Sequence, residues 1–131
     1  MIGLDTNILV RYLTQDDRVQ AAQATNLIET RLTEDDPGFI SIVAIAEMVW
    51  VLGRHYRFRS GQIAGAIERM LRIDTLIVES EQEVFEAMTA LRDGHGEFAD
   101  ALIGLSSTKA GCSRVLTFDR KALRLPGFEL P

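Results

Sequence analysis

The sequence predicts an α/β fold in three layers: a mostly parallel central sheet of about four to five strands with helices on both faces. Three observations predict it. Short apolar runs recur at positions 2–4, 39–40, 76–78 and 115–118. Between them lie longer segments whose apolar residues recur at helical spacing. The boundaries between the two kinds of segment carry capping and turn residues. At 131 residues, 47% hydrophobic and 25% charged, the chain is expected to form one domain, residues 1–131, with a substantial core.

Ile2-Gly3-Leu4 has no polar side chain and reads as a buried strand, which Asp5 ends. Thr6-Asn7 opens a helical segment that runs through Leu13. Asp16-Asp17 offers an N-cap to a second helix, on which Val19, Ala22, Leu27, Ile28 and Leu32 are spaced as one apolar face. The polar turn 33–38 leads to a strand at 39–40, and Ser41 can cap a helix from 42 to about 56. Gly53 and the basic run 54–59 close that helix. Ser60 starts another, with Ile63, Ile67, Met70 and Leu71 on one face. A strand at 76–78 is followed by Ser80-Glu81-Gln82-Glu83, a capping-box sequence, and a helix to about Arg92. The loop 93–96 leads to a helix at 98–110, which Gly111 stops. The strand at 115–118 ends in Asp119, a helical turn follows at 120–123, and 128–130 reads as an edge strand.

Composition excludes several classes. Cys112 is the one cysteine, so no internal disulfide forms, and a reducing, cytoplasmic setting is the simplest expectation. The N-terminus lacks a basic leader, and Asp5 interrupts its apolar run. The longest apolar stretch, 42–52, contains Glu47 and is too short to span a bilayer, so no membrane role is expected. A formal net charge of −5 argues, taken alone, against a nucleic-acid partner.

The chemistry lies where single acids interrupt apolar runs. Asp5 sits between a buried strand and a helix, where open α/β sheets bind ligands; it can equally be a helix cap. Glu47 is the only charge between Phe39 and Gly53 and is too deep in its helix to cap it. A carboxylate buried there without partners would cost several kcal/mol, so it is either exposed on a narrow stripe or compensated. Asp100 is the only charge from Phe98 to Leu105, and the positive end of the helix dipole also favours it there. Asp119 follows a buried strand as Asp5 does, and it too can cap the turn after it.

In a parallel sheet, Asp5 and Asp119 would both project from the C-terminal edge, and Asp100 could reach the same edge. Four converging carboxylates would repel unless cations lay among them. Hard oxygen donors suit Mg²⁺ or Mn²⁺, and two such ions about 4 Å apart support phosphodiester hydrolysis. No CxxC, HExxH, Walker loop or nucleophile signature competes for the role.

Leu4-Asp5-Thr6-Asn7, Ser41 with Glu47, Phe98-Ala99-Asp100-Ala101-Leu102-Ile103 and Leu116-Thr117-Phe118-Asp119 resemble, in order and over the whole chain, a PIN-domain ribonuclease of the VapC toxin type. The resemblance implies a PIN-like fold and a Mg²⁺- or Mn²⁺-dependent endoribonuclease with one or two ions per site. It further implies a homodimer, held inactive by a small VapB-like antitoxin. Carried over by position, Asp5, Glu47, Asp100 and Asp119 would be the catalytic, metal-binding acids. Thr6, Asn7 and Thr117 would orient those carboxylates or their waters. Two divalent cations would also offset most of the net charge of −5.

Arg54, His55, Arg57 and Arg59, with Tyr56 and Phe58 between them, could contact RNA phosphates and bases, or form a solvated helix end. Arg11 and Tyr12, near Asp5, offer the same choice. His95 reads as an ordinary loop residue, and Trp50 with Met48 and Val49 as core rather than dimer surface. Other classes remain open: a phosphoacceptor receiver-like signalling domain, a protein-interaction module, or a PIN-like RNA-processing nuclease or binding module without a toxin role. A receiver would need paired acids after its first strand and a late strand ending in Lys, and neither is present.

Overall fold

Apolar runs at the expected places build five strands, all paired in parallel, in two separate ladders. The computed structural model describes residues 1–131. Six helices accompany the strands, and the chain resolves into two compact units, Met1–Glu81 and Gln82–Pro131.

The first unit runs β1 (Ile2–Gly3), α1 (Thr6–Thr14), α2 (Arg18–Asn26), β2 (Gly38–Ile40), α3 (Ile42–Arg54), α4 (Ser60–Leu71) and β3 (Leu76–Val78). Its sheet has the order β1-β2-β3. Gly38 faces Ile2 on one side and Leu76 on the other. The ladder closes through Leu4 N–H to Phe39 O at 2.8 Å and Glu79 N–H to Ile40 O at 2.9 Å. Gly38 is required by the packing: a Cβ there would stand 2.8 Å from a Leu32 methyl and 2.9 Å from one of Leu4. Leu9, Ile40, Ile45, Met48, Leu52 and Ile67 are fully buried and form this unit's core. Of the face expected on α4, Ile63, Ile67 and Met70 are buried and Leu71 is half-buried.

The face expected of α2 is corrected. Val19 is 69% exposed and Ala22 is exposed, with Ala21 and Ala24 buried in their place and Leu27 half-buried, whereas Ile28 and Leu32 are buried as expected. Two small residues set the phase of the helix, and a wide π-type turn at Leu27–Arg31 then resets it, with Leu32 N–H bonding Leu27 O at 3.0 Å. Asp17, not Asp16, caps α2 by accepting Gln20 N–H at 2.9 Å. Trp50 is also corrected, since it is 55% exposed on α3 while Met48 is buried.

The second unit holds α5 (Glu81–Arg92, whose first residue belongs to the first unit), α6 (Phe98–Lys109), β4 (Val115–Leu116), a 3-10 turn at Ala122–Arg124 and β5 (Phe128–Glu129). Val84, Met88, Phe98, Leu102, Leu125 and Phe128 are its main buried side chains. Gly111 ends α6 at φ 96°, as expected. The capping box before α5 does not form, because Ser80 adopts φ 53° rather than the extended conformation of an N-cap. The strand expected at 115–118 stops at Leu116. Thr117 gives its N–H to Glu129 O and then accepts Asp119 N–H on Oγ1, which turns the chain and leaves Phe118 87% exposed.

Candidate active site

Asp5, Ser41 and Glu79 follow β1, β2 and β3, so all three stand at the carboxyl edge of the first unit's sheet. Each serves a helix N-terminus. Asp5 is the extended N-cap of α1, and its Oδ1 accepts Thr6 N–H at 2.7 Å. Ser41 Oγ accepts Ala44 N–H at 3.1 Å, and Glu79 Oε1 accepts Ile42 N–H at 2.7 Å. The last two contacts pin the start of α3 to the sheet edge. Glu79 was not singled out from sequence, where only its place after an apolar run marks it.

From the middle of α3, Glu47 is exposed and has no hydrogen-bond or ion-pair partner. Exposure, not burial with compensation, is how the helix carries this charge. Asp5, Thr6, Asn7 and Glu47 together line a cavity of about 510 Å³, whose other walls come from Val10, Arg11, Val51, His55 and Tyr56. Thr6 is the chain's one buried polar residue, so its place in the wall is firmly held.

At the rim, Arg11 Nη1 donates to Tyr56 Oη at 3.0 Å and to both Asp16 oxygens at 3.2 and 3.3 Å, and its Nε donates to Gln20 at 2.7 Å. Tyr56 Oη donates to Asp16 Oδ2 at 2.7 Å. Hydrogen bonds from Tyr56 and Thr14, with the Arg11 charge beside them, hold the Asp16 carboxyl down at about 2. Arg11 is therefore tied into a protein network rather than extended into solvent. Neither Arg54 nor Arg57 lines this cavity. Arg54 lies 5.8 Å over the Trp50 ring, and Arg57 is exposed in a left-handed conformation. His55 and Tyr56 are the members of the basic run that reach the cavity.

In the second unit, Asp100 lies in the first turn of α6 and is half-buried. Burial raises its pKa above the usual carboxylate value, and the negative charges of Glu97 and Asp119 add to the rise. Asp119 and Asp100 are thus electrostatic neighbours, with Glu97 as a third acid that its helix-boundary position concealed in the sequence. Asp119 caps the turn after it by accepting Lys121 N–H at 2.9 Å, and Thr117 Oγ1 accepts its N–H at 3.0 Å. His95 lies exposed in its loop.

Within neither unit do three or more His, Cys, Asp or Glu side chains gather into a group that could hold a metal ion. The first unit's cavity does offer two carboxylates, a hydroxyl and an amide, all oxygen donors. Mg²⁺ is ordinarily held by one or two carboxylates and retains several waters, so Asp5 and Glu47 fit it as ligands. No helix is long and apolar enough to cross a membrane.

A family model described as PIN domain matches residues 2–127, across both units. The chain is also 25% identical over 127 residues to a VapC ribonuclease of Aquifex aeolicus (strain VF5), covering 96% of this chain and 92% of that protein.

Proposed function

The chain belongs to the PIN-domain family, and from that premise we propose that it is a Mg²⁺- or Mn²⁺-dependent endoribonuclease, the toxin of a toxin–antitoxin pair. One observation carries the proposal: two carboxylates without cationic partners, Asp5 and Glu47, share a solvent-open cavity at the sheet edge. The similar VapC ribonuclease supports RNA as substrate. The family match removes the ground for a receiver-like signalling domain.

When bound, one or two divalent cations would lower the pKa of a water and screen the phosphate. The chain's own residues do the positioning. The Thr6 N–H fixes one oxygen of Asp5 and leaves the other without a partner. Ser41 and Glu79 hold the start of α3, which sets where Glu47 stands. Thr6 and Asn7 supply polar contacts beside the two acids. In the second unit, Asp100 and Asp119 are the further proposed metal-binding and catalytic acids, with Thr117 steadying the Asp119 turn. Arg11, Arg54 and Arg57 are the proposed phosphate contacts, the first as part of its network with Asp16 and Tyr56.

We further propose a cytoplasmic homodimer controlled by a VapB-like antitoxin that places an Arg or Lys among the acids. Exposed Val43 and Trp50 on α3 support a protein-covered surface, and exposed Cys112 suits a reducing compartment. The test is RNA cleavage by purified protein with chelator, Mg²⁺ or Mn²⁺. Cleavage in metal alone, lost in a folded Glu47→Gln variant, is the expected result. Metal-independent cleavage, or full activity in that variant, would overturn the proposal.

A further inference from the structure

A second cavity, of about 440 Å³, lies on α1 in the same unit and shares Asn7 and Arg11 with the acidic one. Its chemistry differs. α2 contributes Gln20 and Gln23, with Asn26 three residues further on, and Arg31 lies at the end of the π-type turn. Gln20 gives its carbonyl oxygen to Arg11, so its amide N–H groups stay unused. Asn7, Gln23, Asn26 and Arg31 have no hydrogen-bond or ion-pair partner. Ile8 and Leu27 supply apolar surface between these polar groups. These exposed amides are free to bond a ligand in place of water. π-type turns are rare and occur often at functional sites, and here the turn carries both Leu27 and Arg31.

We infer that this cavity is a base-reading subsite for single-stranded RNA, one nucleotide or so from the scissile phosphate, with a preference for adenine. The inference rests on the nuclease proposal for the neighbouring cavity. A primary amide presents a donor and an acceptor side by side, matching the N6 and N7 groups of adenine, and unpaired RNA bases expose those edges. The apolar patch covers the base, and Arg31 takes an adjacent phosphate. Arg11, common to both cavities, couples the two.

The test has two arms. In the first, side-chain amide signals of Gln23 and Asn26 are followed by NMR as adenosine, cytidine or uridine 5′-monophosphate, or ribose 5-phosphate, is added. Shifts largest with the adenine nucleotide are expected. Equal shifts with ribose 5-phosphate, or none at these amides, would overturn the inference. In the second arm, wild type and a Gln23→Leu/Asn26→Leu variant cut pyrimidine oligoribonucleotides carrying one adenine at varied positions. Wild type should favour one adenine position by roughly tenfold or more, and the variant should lose that preference while still cutting the all-pyrimidine strand. An unchanged preference would overturn the inference. Adenine-selective shifts without any RNA cleavage would leave the subsite standing as a free-nucleotide site and remove the nuclease proposal. Cleavage without those shifts would do the reverse.

Discussion

Gly104 in α6 and Gly65 in α4 make a matched pair in which one substitution should give opposite results. A Cβ at Gly104 would stand 2.8 Å from Phe128 Cε2 and 3.4 Å from its Cζ, whereas at Gly65 nothing lies within 4 Å. Carbon atoms in contact settle about 3.5–4.0 Å apart, so Gly104→Ala forces the buried Phe128 ring to move. Replacing glycine by alanine inside a helix favours folding by about 0.8–1 kcal/mol. Overpacking a core opposes it by about 1–3 kcal/mol. Gly104→Ala should therefore destabilise by about 1 kcal/mol, while Gly65→Ala should stabilise by nearly that amount. At roughly 4 °C per kcal/mol for a chain of this size, the two variants should melt about 8 °C apart, on either side of wild type. Circular-dichroism melts measure this directly. A Gly104→Ala protein that melts as high as Gly65→Ala would refute the close approach of α6 and β5. A functional effect should accompany it, because β5 pairs with β4, and β4 leads into Thr117 and Asp119. Gly104→Ala should slow RNA cleavage without touching an acid.

Hydrolysis by water, rather than attack by the RNA 2′-hydroxyl, should leave 5′-phosphate and 3′-hydroxyl ends; 2′,3′-cyclic phosphates in the product mixture would contradict it. Asp5→Asn keeps an N-cap, while Asp5→Ala costs about 1 kcal/mol of stability; both should lose cleavage, so melts and activity assays separate the two roles of this residue. The folded carboxyl of Asp16 lies at about 2, below its ordinary value of 3.8, so its contribution is present above about pH 4 and lost as pH falls towards 2. Tyr56→Phe removes the largest cause and should flatten that acid loss, while equal acid sensitivity in both proteins would show that the network does not set it. Asp100 is shifted upwards, so its contribution is present at low pH and lost as pH climbs through the folded value. Asp100→Asn should thus raise the metal-free melting temperature at neutral pH, and should gain less than wild type from added Mg²⁺, which stabilises a binding protein by roughly 2.7 kcal/mol at a hundredfold excess over Kd. Equal gains would remove Asp100 from the metal ligands.

The alternation of strands and helices was legible because β1 to β4 are short runs without a charged side chain, and α1, α2 and α3 start at the short polar residues Asp5, Asp17 and Ser41. Ser41 and Asp17 act as caps through contacts of three residues, which a sequence displays. What stayed hidden depends on contacts distant in sequence. Trp50 reads as core by composition, yet its position on α3 leaves it facing outward, with Arg54 and His55 beside it. The phase of α2 was missed because alanines, not the larger Val19, set it, and because a π-type turn has no clear sequence mark. Asp5, Glu47, Asp100 and Asp119 stood out by isolation, while Glu79 and Glu97 did not, and the bond from Tyr56 to Asp16 was not legible. Glu79, Glu97 and Tyr56 all border polar or charged stretches, where one more polar residue carries little signal.

Capping does not exclude the catalytic role proposed for Asp5. An N-cap uses one carboxylate oxygen and fixes its direction by a backbone N–H. The remaining oxygen is left at the positive end of a helix, its direction set by the hydrogen bond that the first oxygen accepts. The same logic runs through the sheet edge, where Glu79 gives one oxygen to the start of α3 and so fixes the helix that carries Glu47. A carboxylate free to rotate would cost ordering entropy each time it met a cation. At Asp5 the fold meets that cost in advance, through the same contact that starts α1.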